Sequence, residues 1–279
     1  MKKQGLDILV TFDRNYIKPF KVMLRSLLWN NPGETVRVWL LHSAIPTAEL
    51  DSLREYCSLN GVPMTTISVD RDLFRDAPIS ERYPQEMYYR LISPHLLPSS
   101  LDKVLYLDTD LLVINPLRPL WDLPLESRAF AAASHIGFTG VMNGINRVRL
   151  NTQHDYYNTG VMLINLEHAR PLVNLDEIFC CVREHEAELL LPDQDVFNYI
   201  YGAQTLPVDD AVWNYDARNY AQYLLRSTGA YDLNWIMENT AVLHFCGKNK
   251  PWLADQPKTF TALYAHYAHL AERQSGCSI

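Results

Sequence analysis

The sequence predicts an α/β chain built on a mostly parallel central sheet, and three observations carry that prediction. Strand-like and helix-like runs alternate through the first half, and strands separated by helices pair in parallel. The chain has 279 residues, 48% of them hydrophobic and 20% charged, the balance of a globular protein with a full core. Two apolar runs, 8–12 and 104–107, lead straight into polar residues, and ligands on open α/β sheets collect at such strand ends.

Taken in order, Ile8-Leu9-Val10-Thr11-Phe12 is a β-branched and aromatic run that suits a buried strand. Ile17, Phe20, Leu24, Leu27 and Leu28 then share one helical face, and Asn30-Asn31-Pro32-Gly33 ends that helix. Val36–Leu41 reads as a second strand. Thr47 is placed to N-cap a helix carrying Leu50, Leu53 and Cys57, which Asn60-Gly61 stops. Met64–Val69 is a third strand, Arg71–Tyr83 a loop or lid, Gln85–Ile92 a helix and Val104–Leu107 a fourth strand. The second half is less regular. Strands are expected at Ala129–Ala133, Gly160–Ile164 and Val242–Phe245, and helices at Asp176–Leu190, Gln194–Ile200 and Phe260–Gln274. Residues 206–235 are rich in Tyr, Asn and Asp and carry few periodic signals. No internal repeat or linker interrupts the chain, so one domain, 1–279, is the economical reading.

Composition excludes several function classes. The 25 basic and 32 acidic residues leave a net charge of −7, against a generic nucleic-acid binder, which needs a basic face for phosphates. The 11 glycines never fall as G-x-G, and Gly247-Lys248 is followed by Asn249. There is thus no dinucleotide fingerprint, kinase-type glycine loop or P-loop. Cys57, Cys180, Cys181, Cys246 and Cys277 are odd in number and lack C-x-x-C spacing, which reads as reduced cytoplasmic thiols and not as a zinc site. No run approaches 18 apolar residues, and the N-terminus suits a first strand better than a signal peptide.

Four segments could carry chemistry. In Leu105-Tyr106-Leu107-Asp108-Thr109-Asp110-Leu111-Leu112-Val113, two carboxylates sit between apolar runs. Burying them unpaired is costly, so they call for a cation, and hard oxygen ligands suit Mg²⁺ or Mn²⁺. Alone, D-x-D also suits a polar turn. In His244-Phe245-Cys246-Gly247-Lys248-Asn249-Lys250-Pro251-Trp252, a strand-end histidine could complete a metal site, a glycine admits close backbone approach and a lysine suits a phosphate. A buried histidine followed by a surface turn is the plainer alternative. Asp193-Gln194-Asp195 opens the helix expected there, where Asp193 or Asp195 could serve simply as a cap. Asn158-Thr159-Gly160 precedes a strand and could be an ordinary turn.

In this order, and with Asp13-Arg14-Asn15-Tyr16 after the first strand, these segments resemble the retaining glycosyltransferases of family 8. That family includes bacterial lipopolysaccharide galactosyl- and glucosyltransferases and glycogenin. The resemblance runs from Asp7 to Trp252. It implies a single Rossmann-like nucleotide-diphospho-sugar transferase fold of GT-A type with an elaborated C-terminal half. Residues 1–115 would form the nucleotide-binding half, 116–252 the sugar and acceptor half, and 253–279 a helical tail. It also implies that Asp108, Asp110 and His244 hold Mn²⁺, with Mg²⁺ as the alternative, and that the donor is a UDP-sugar. Thr11, Asp13, Asn15 and Tyr16 match the uridine-binding segment, with Tyr16 stacking on the base. Gly247 and Lys250 match positions that contact the diphosphate. Arg90, Thr109 within the D-x-D segment, and Asn158 match donor-side positions. Thr159 stands where the galactosyltransferase pattern has alanine, so galactose and glucose both stay open. Asp193 and Gln194 match the sugar-binding aspartate and the amide beneath the anomeric carbon.

The residue types suit glycosyl transfer, in which negative charge grows on a departing diphosphate. Gln194 is neutral and a poor nucleophile, which favours front-face substitution, with Asp193 orienting sugar hydroxyls. The acceptor is expected to be a carbohydrate or glycolipid, with no nucleic acid and at most peripheral membrane contact, since the tail 272–279 is not basic. His266 and His269 suggest no third ligand, and the Phe260, Leu263, Tyr264, Tyr267, Leu270 stripe reads as core. Trp213, Tyr215, Tyr220, Tyr223 and Tyr231 suit either packing or stacking on acceptor sugars. The rival classes are a sugar-nucleotide-forming nucleotidyltransferase, whose glycine-rich basic loop is missing from Phe12-Asp13-Arg14-Asn15, and an inactive UDP-sugar-binding protein.

Overall fold

A computed structural model describes residues 5–74, 85–134, 146–186, 189–253 and 259–275. The first half alternates as expected: β1 Leu6–Thr11, α1 Ile17–Asn30, β2 Val36–His42, α2 Thr47–Leu59, β3 Met64–Ser68, α3 Glu86–Leu96 and β4 Lys103–Leu107. Then follow β5 Leu111–Val113, α4 Arg118–Trp121, β6 Phe130–Ser134, β7 Tyr157–Asn165, α5 Leu166–Leu172, α6 Leu175–His185 and α7 Pro192–Tyr201. The chain continues through β8 Thr205–Val208, α8 Asp210–Trp213, β9 Tyr215–Asp216, α9 Tyr220–Arg226, α10 Leu233–Asn239, β10 Val242–His244 and α11 Thr261–Ser275. Arg71–Phe74 forms a 3-10 turn, and the rest of the expected lid, 75–83, lies outside the described residues.

Seven strands form one sheet in the order β3-β2-β1-β4-β7-β6-β8, and β5-β10-β9 form a smaller one. Side chains alternate across β1 as the pleat requires. Leu9 joins a core with Tyr88, Tyr89, Val196 and Phe197 on one face. Ile8 and Val10 join Phe20, Leu24, Leu50 and Leu53 on the other. Both faces of the first strands are thus covered by helices, which is why they read as continuous apolar runs. Phe260, Tyr264 and Tyr267 pack beneath the small sheet with Tyr215 and Tyr223, so the tail helix and these tyrosines are core. Among the described residues, no helix is long and apolar enough to cross a membrane.

Three local expectations are corrected. Thr47 is the first helical residue of α2, Pro46 holds the cap position, and no side chain caps there. The parallel rule fails at β7, which is antiparallel to both β4 and β6. A crossover helix carries the chain back between β1, β2 and β3. Ser134 of β6 instead lies opposite Tyr157 of β7, so the chain re-enters the sheet at the end it left. Finally, α6 ends at His185, short of residue 190; by Leu190 and Leu191 the backbone N–H groups donate to Asp195 and not to a helical carbonyl.

Candidate active site

The strand arrangement explains how residues far apart in sequence meet. β4 ends at Leu107, and the chain crosses through Asp108-Thr109-Asp110 into β5 of the small sheet. β10 pairs antiparallel with β5, placing His244 opposite Leu111, and the N–H of Phe245 donates to the carbonyl of Asp110 at 2.9 Å. On the other side, the N–H of Asp108 donates to the carbonyl of Gly160 in β7 at 2.8 Å. The D-x-D segment is therefore clamped between two strands, one from each sheet.

The result is a cluster of three metal-ligating side chains. One donor atom each from Asp108, Asp110 and His244 lie within 4.8 Å of one another. His244 Nε2 is 3.3 Å from Asp110 Oδ1 and 3.8 Å from Asp108 Oδ2. Two carboxylates and an imidazole suit a divalent cation of the Mn²⁺ or Mg²⁺ type. Gly160 leaves the room: a Cβ there would collide with the His244 ring and reach 2.8 Å from Asp108 Oδ2. Burial would raise the pKa of Asp110, but His244 and Lys250 hold its carboxyl well below the usual carboxylate range. For His244 burial acts downward, Cys246 and Asp110 act upward, and the imidazole is held well above its ordinary value. Burial also raises the Cys246 thiol, which keeps it neutral near pH 7, so Asp110 is the charge that matters. Lys250 Nζ donates to Asp110 and, at 3.1 Å, to the carbonyl of Phe245.

Beside the cluster lies a cleft of about 480 Å³. Arg90, Asn158, Thr159, Asp193, Gln194 and Gly247 line it together with Asp108, Asp110 and His244, so most of the residues singled out in the sequence converge. Arg90, on α3, spans the two acids: Nη2 is 3.2 Å from Asp108 Oδ1 and Nε is 3.2 Å from Asp193 Oδ2. Its Nη1 donates to the Thr159 hydroxyl at 3.3 Å. Thr159 is buried, as is Thr109, whose side chain lies between the two acids in sequence. Gly247 has φ +80, a left-handed conformation that favours glycine, and Arg218 Nη1 lies 2.6 Å from where its Cβ would be.

The segment after β1 is not among the residues that line this cleft, but Thr11 is tied to it through Tyr106. Thr11 donates to the Tyr106 hydroxyl at 3.1 Å, and Tyr106 donates to Asp108 at 2.7 Å. Burial holds the Tyr106 phenol well above its usual range, so it stays a donor and orients the carboxylate. Asp13 accepts from the backbone N–H of Asn15 at 2.8 Å and from its side-chain amide at 3.3 Å, fixing the short turn Arg14–Tyr16. Tyr16 is half-buried and meets Trp252 edge-on, with ring centroids 6.0 Å apart. Asn15 lines a neighbouring cavity of about 590 Å³ with Lys18, Trp252 and Tyr264.

Asp193 and Gln194 occupy the first turn of α7, whose cap position is Leu191, so neither Asp193 nor Asp195 is its N-cap. Asp195 is fully buried and saturated instead. Arg149 grips it with two nitrogens at 2.9 and 2.7 Å, Tyr156 donates at 2.5 Å, and the N–H groups of Leu190 and Leu191 add two more bonds. That anchor fixes the start of α7 and hence Asp193 and Gln194. Breaking a buried pair on one side leaves an uncompensated charge, so Asp195→Asn is expected to cost about 3–5 kcal/mol of stability, read by urea denaturation. A loss under about 1 kcal/mol would count against the anchor.

Sequence reasoning missed Gly160, Asn214, Arg149, Arg218 and Tyr106 as parts of this site. Gly160 carried a signal, a glycine entering an apolar strand pattern. The others carried none, because their roles depend on pairings between distant strands.

Comparison with known proteins agrees with the geometry. The chain matches the family model of glycosyl transferase family 8 over residues 7–256. General stress protein A of Bacillus subtilis (strain 168) is 28% identical over 274 residues, 95% of this chain and 94% of that protein. Lipopolysaccharide 1,2-glucosyltransferase of Escherichia coli (strain K12) is 23% identical over 256 residues, 88% of this chain and 72% of that protein. The structure of galactosyltransferase LgtC with donor and acceptor sugar analogues superposes with a TM-score of 0.79 at 25% identity, covering 95% of this chain and 96% of that one. An active-site mutant of LgtC gives 0.81 at 26% identity over the same shares. The fold is of the GT-A type, with its D-x-D segment at the end of a central strand. On the family match across most of its length, the chain belongs to glycosyl transferase family 8.

Proposed function

We propose that the chain transfers a hexose, galactose or glucose, from a UDP-sugar to a carbohydrate acceptor such as a cell-surface glycan or lipopolysaccharide precursor. Transfer would proceed with retention at the anomeric carbon. The observation that carries this reading is the Asp108, Asp110 and His244 cluster opening onto a cleft that also holds Asp193 and Gln194. Asp108, Asp110 and His244 would hold Mn²⁺, or Mg²⁺ in its place. Bound there, the cation would act as Lewis acid for the departing diphosphate.

The chain's own residues account for the rest. Lys250 and Gly247 flank the cluster where negative charge would grow, and a fixed ammonium there favours the transition state over the ground state. Thr11, Asp13, Asn15 and Tyr16 would hold the uridine, with the half-buried Tyr16 ring as its stacking surface. Asp193 is held by Arg90, so it is poised to accept from sugar hydroxyls and is a weakened nucleophile. Asn158 accepts with its oxygen from Gly160 and Asn214 and donates to Gln194, leaving one N–H for a sugar hydroxyl. Gln194 is neutral. No unpaired carboxylate is thus offered to the anomeric carbon by these residues, which supports front-face substitution guided by the leaving phosphate. The nucleotide-binding half, 1–115, would supply the two aspartates, and the sugar and acceptor half, 116–252, the histidine, amides and lysine.

The test is UDP release from UDP-galactose, UDP-glucose and UDP-N-acetylglucosamine, with and without Mn²⁺. One hexose donor is expected to turn over, EDTA to stop it and Mn²⁺ to restore it. Turnover unaffected by EDTA would rule out the proposed leaving-group chemistry. Binding of UDP with no release from any donor would favour an inactive binding protein.

A further inference from the structure

We infer that Asn214 is the positioning residue that fixes which nitrogen of His244 faces the cation, and that it does so by relaying the direction of one backbone N–H. The relay starts at Gly160, whose N–H can only donate. It lies 2.9 Å from Asn158 Oδ1, so the Asn158 oxygen must point there. The same oxygen is 2.8 Å from the Asn214 side chain, which must therefore present its NH₂ group. The Asn214 oxygen is then left for His244 Nδ1, at 2.9 Å. An amide oxygen accepts only, so Nδ1 keeps its hydrogen. Nε2 is the nitrogen whose lone pair is left for a cation, and it is the one facing Asp110 and Asp108.

The arrangement is held from outside the amides. Asn214 is fully buried and directly precedes β9, which pairs parallel with β10 so that Asp216 lies opposite His244. The N–H of Ala217 donates to the His244 carbonyl at 2.9 Å, so the main chains of donor and acceptor are locked together. At the other end, Asn158 Nδ2 donates to Gln194 Oε1 at 3.0 Å. One chain of amides therefore joins the histidine of the metal cluster to the glutamine at the sugar end of the cleft. Partners behind a ligating histidine set its tautomer and ring orientation, and losing one typically lowers metal affinity about 10–100-fold.

This inference rests on the cation reading proposed above, and the experiment separates the two. Mn²⁺ binding in the presence of UDP is measured by the loss of the free-ion electron paramagnetic resonance signal, for wild type, Asp108→Asn, Asn214→Leu and Asn214→Asp. Leucine has a similar volume and neither donates nor accepts. Asn214→Leu is expected to weaken Mn²⁺ about 10–100-fold. Asn214→Asp, which keeps an oxygen facing Nδ1 but loses the donor to Asn158, is expected to bind Mn²⁺ more tightly than Asn214→Leu and less tightly than wild type; affinity no better than that of Asn214→Leu would overturn the role. If Asp108→Asn loses Mn²⁺ and Asn214→Leu binds it as wild type does, the positioning role fails and the cation site stands. If wild type and Asp108→Asn bind Mn²⁺ equally, the cation reading itself fails. A second readout needs no substitution at 214. In wild type with Mg²⁺ and UDP, ¹⁵N-histidine resonance should show His244, assigned by its absence in His244→Asn, with its hydrogen on Nδ1. A hydrogen on Nε2 would overturn the relay.

Discussion

Asp108→Asn is expected to lower transfer from the UDP-sugar by at least about 10³-fold while leaving the fold intact. Asparagine keeps the shape and an oxygen but gives up the charge that draws a divalent cation to this strand end. A Lewis acid on the leaving group contributes several kcal/mol to the barrier, and about 4 kcal/mol corresponds to about 10³-fold at 1.36 kcal/mol per decade. The fold should survive because the side chain is partly open to the cleft and its backbone bond to Gly160 is untouched. Tyr106 can still donate to the remaining oxygen. Asp110→Asn should be as inactive and less stable. Asp110 is the deeper of the two acids and bonds to both Lys250 and His244, so neutralising it leaves the half-buried Lys250 ammonium without its charged partner. The pair is checked by UDP release together with thermal unfolding followed by circular dichroism. Full activity in either folded variant would sink the metal assignment.

The two aspartates were legible in the sequence because a solvated turn rarely sits between apolar runs on both sides, whereas His244 at a strand end suited a plain buried histidine equally well and was singled out by the family resemblance. The parallel part of the sheet was legible for a related reason: helices between β1, β2 and β3 leave one way for the chain to return. What stayed hidden are roles created by pairing between distant strands. Nothing local marks Asn214, since its partner is 30 residues away and arrives only when β9 lines up with β10. Arg149 reads as a surface charge until Asp195, 46 residues on, is seen buried against it. The reversal of β7 was hidden too, because alternation of strand and helix signals does not by itself give the direction in which a strand joins the sheet, and β7 is set antiparallel to β4 and β6 only by its pairing with them. That reversal matters chemically, since it brings the start of β7, and with it Gly160, to the ends of β1 and β4.

Gly160→Ala should therefore be among the most damaging single-methyl changes in the protein. The new Cβ would fall on the His244 ring and within 2.8 Å of Asp108 Oδ2 and 3.0 Å of Asn158 Oδ1. None of these can retreat easily. His244 is tied by Asn214 and by its strand, Asp108 by Tyr106 and Arg90, and Asn158 by the N–H of residue 160 itself. Overpacking of this kind costs about 1–3 kcal/mol of stability. The larger effect is on the cluster: turnover should fall at least about 10²-fold, since displacing a reacting group by about an ångström can cost that much. Mn²⁺ affinity should fall with it. A double-mutant cycle with His244→Ala identifies the cause. If the methyl clashes with the imidazole, adding Gly160→Ala to the His244→Ala protein costs much less stability than adding it to wild type, because the space is then available. Equal costs in the two backgrounds would place the strain elsewhere along β7. A Gly160→Ala enzyme as active as wild type would mean that the glycine does not hold open the room in which the cation is proposed to sit.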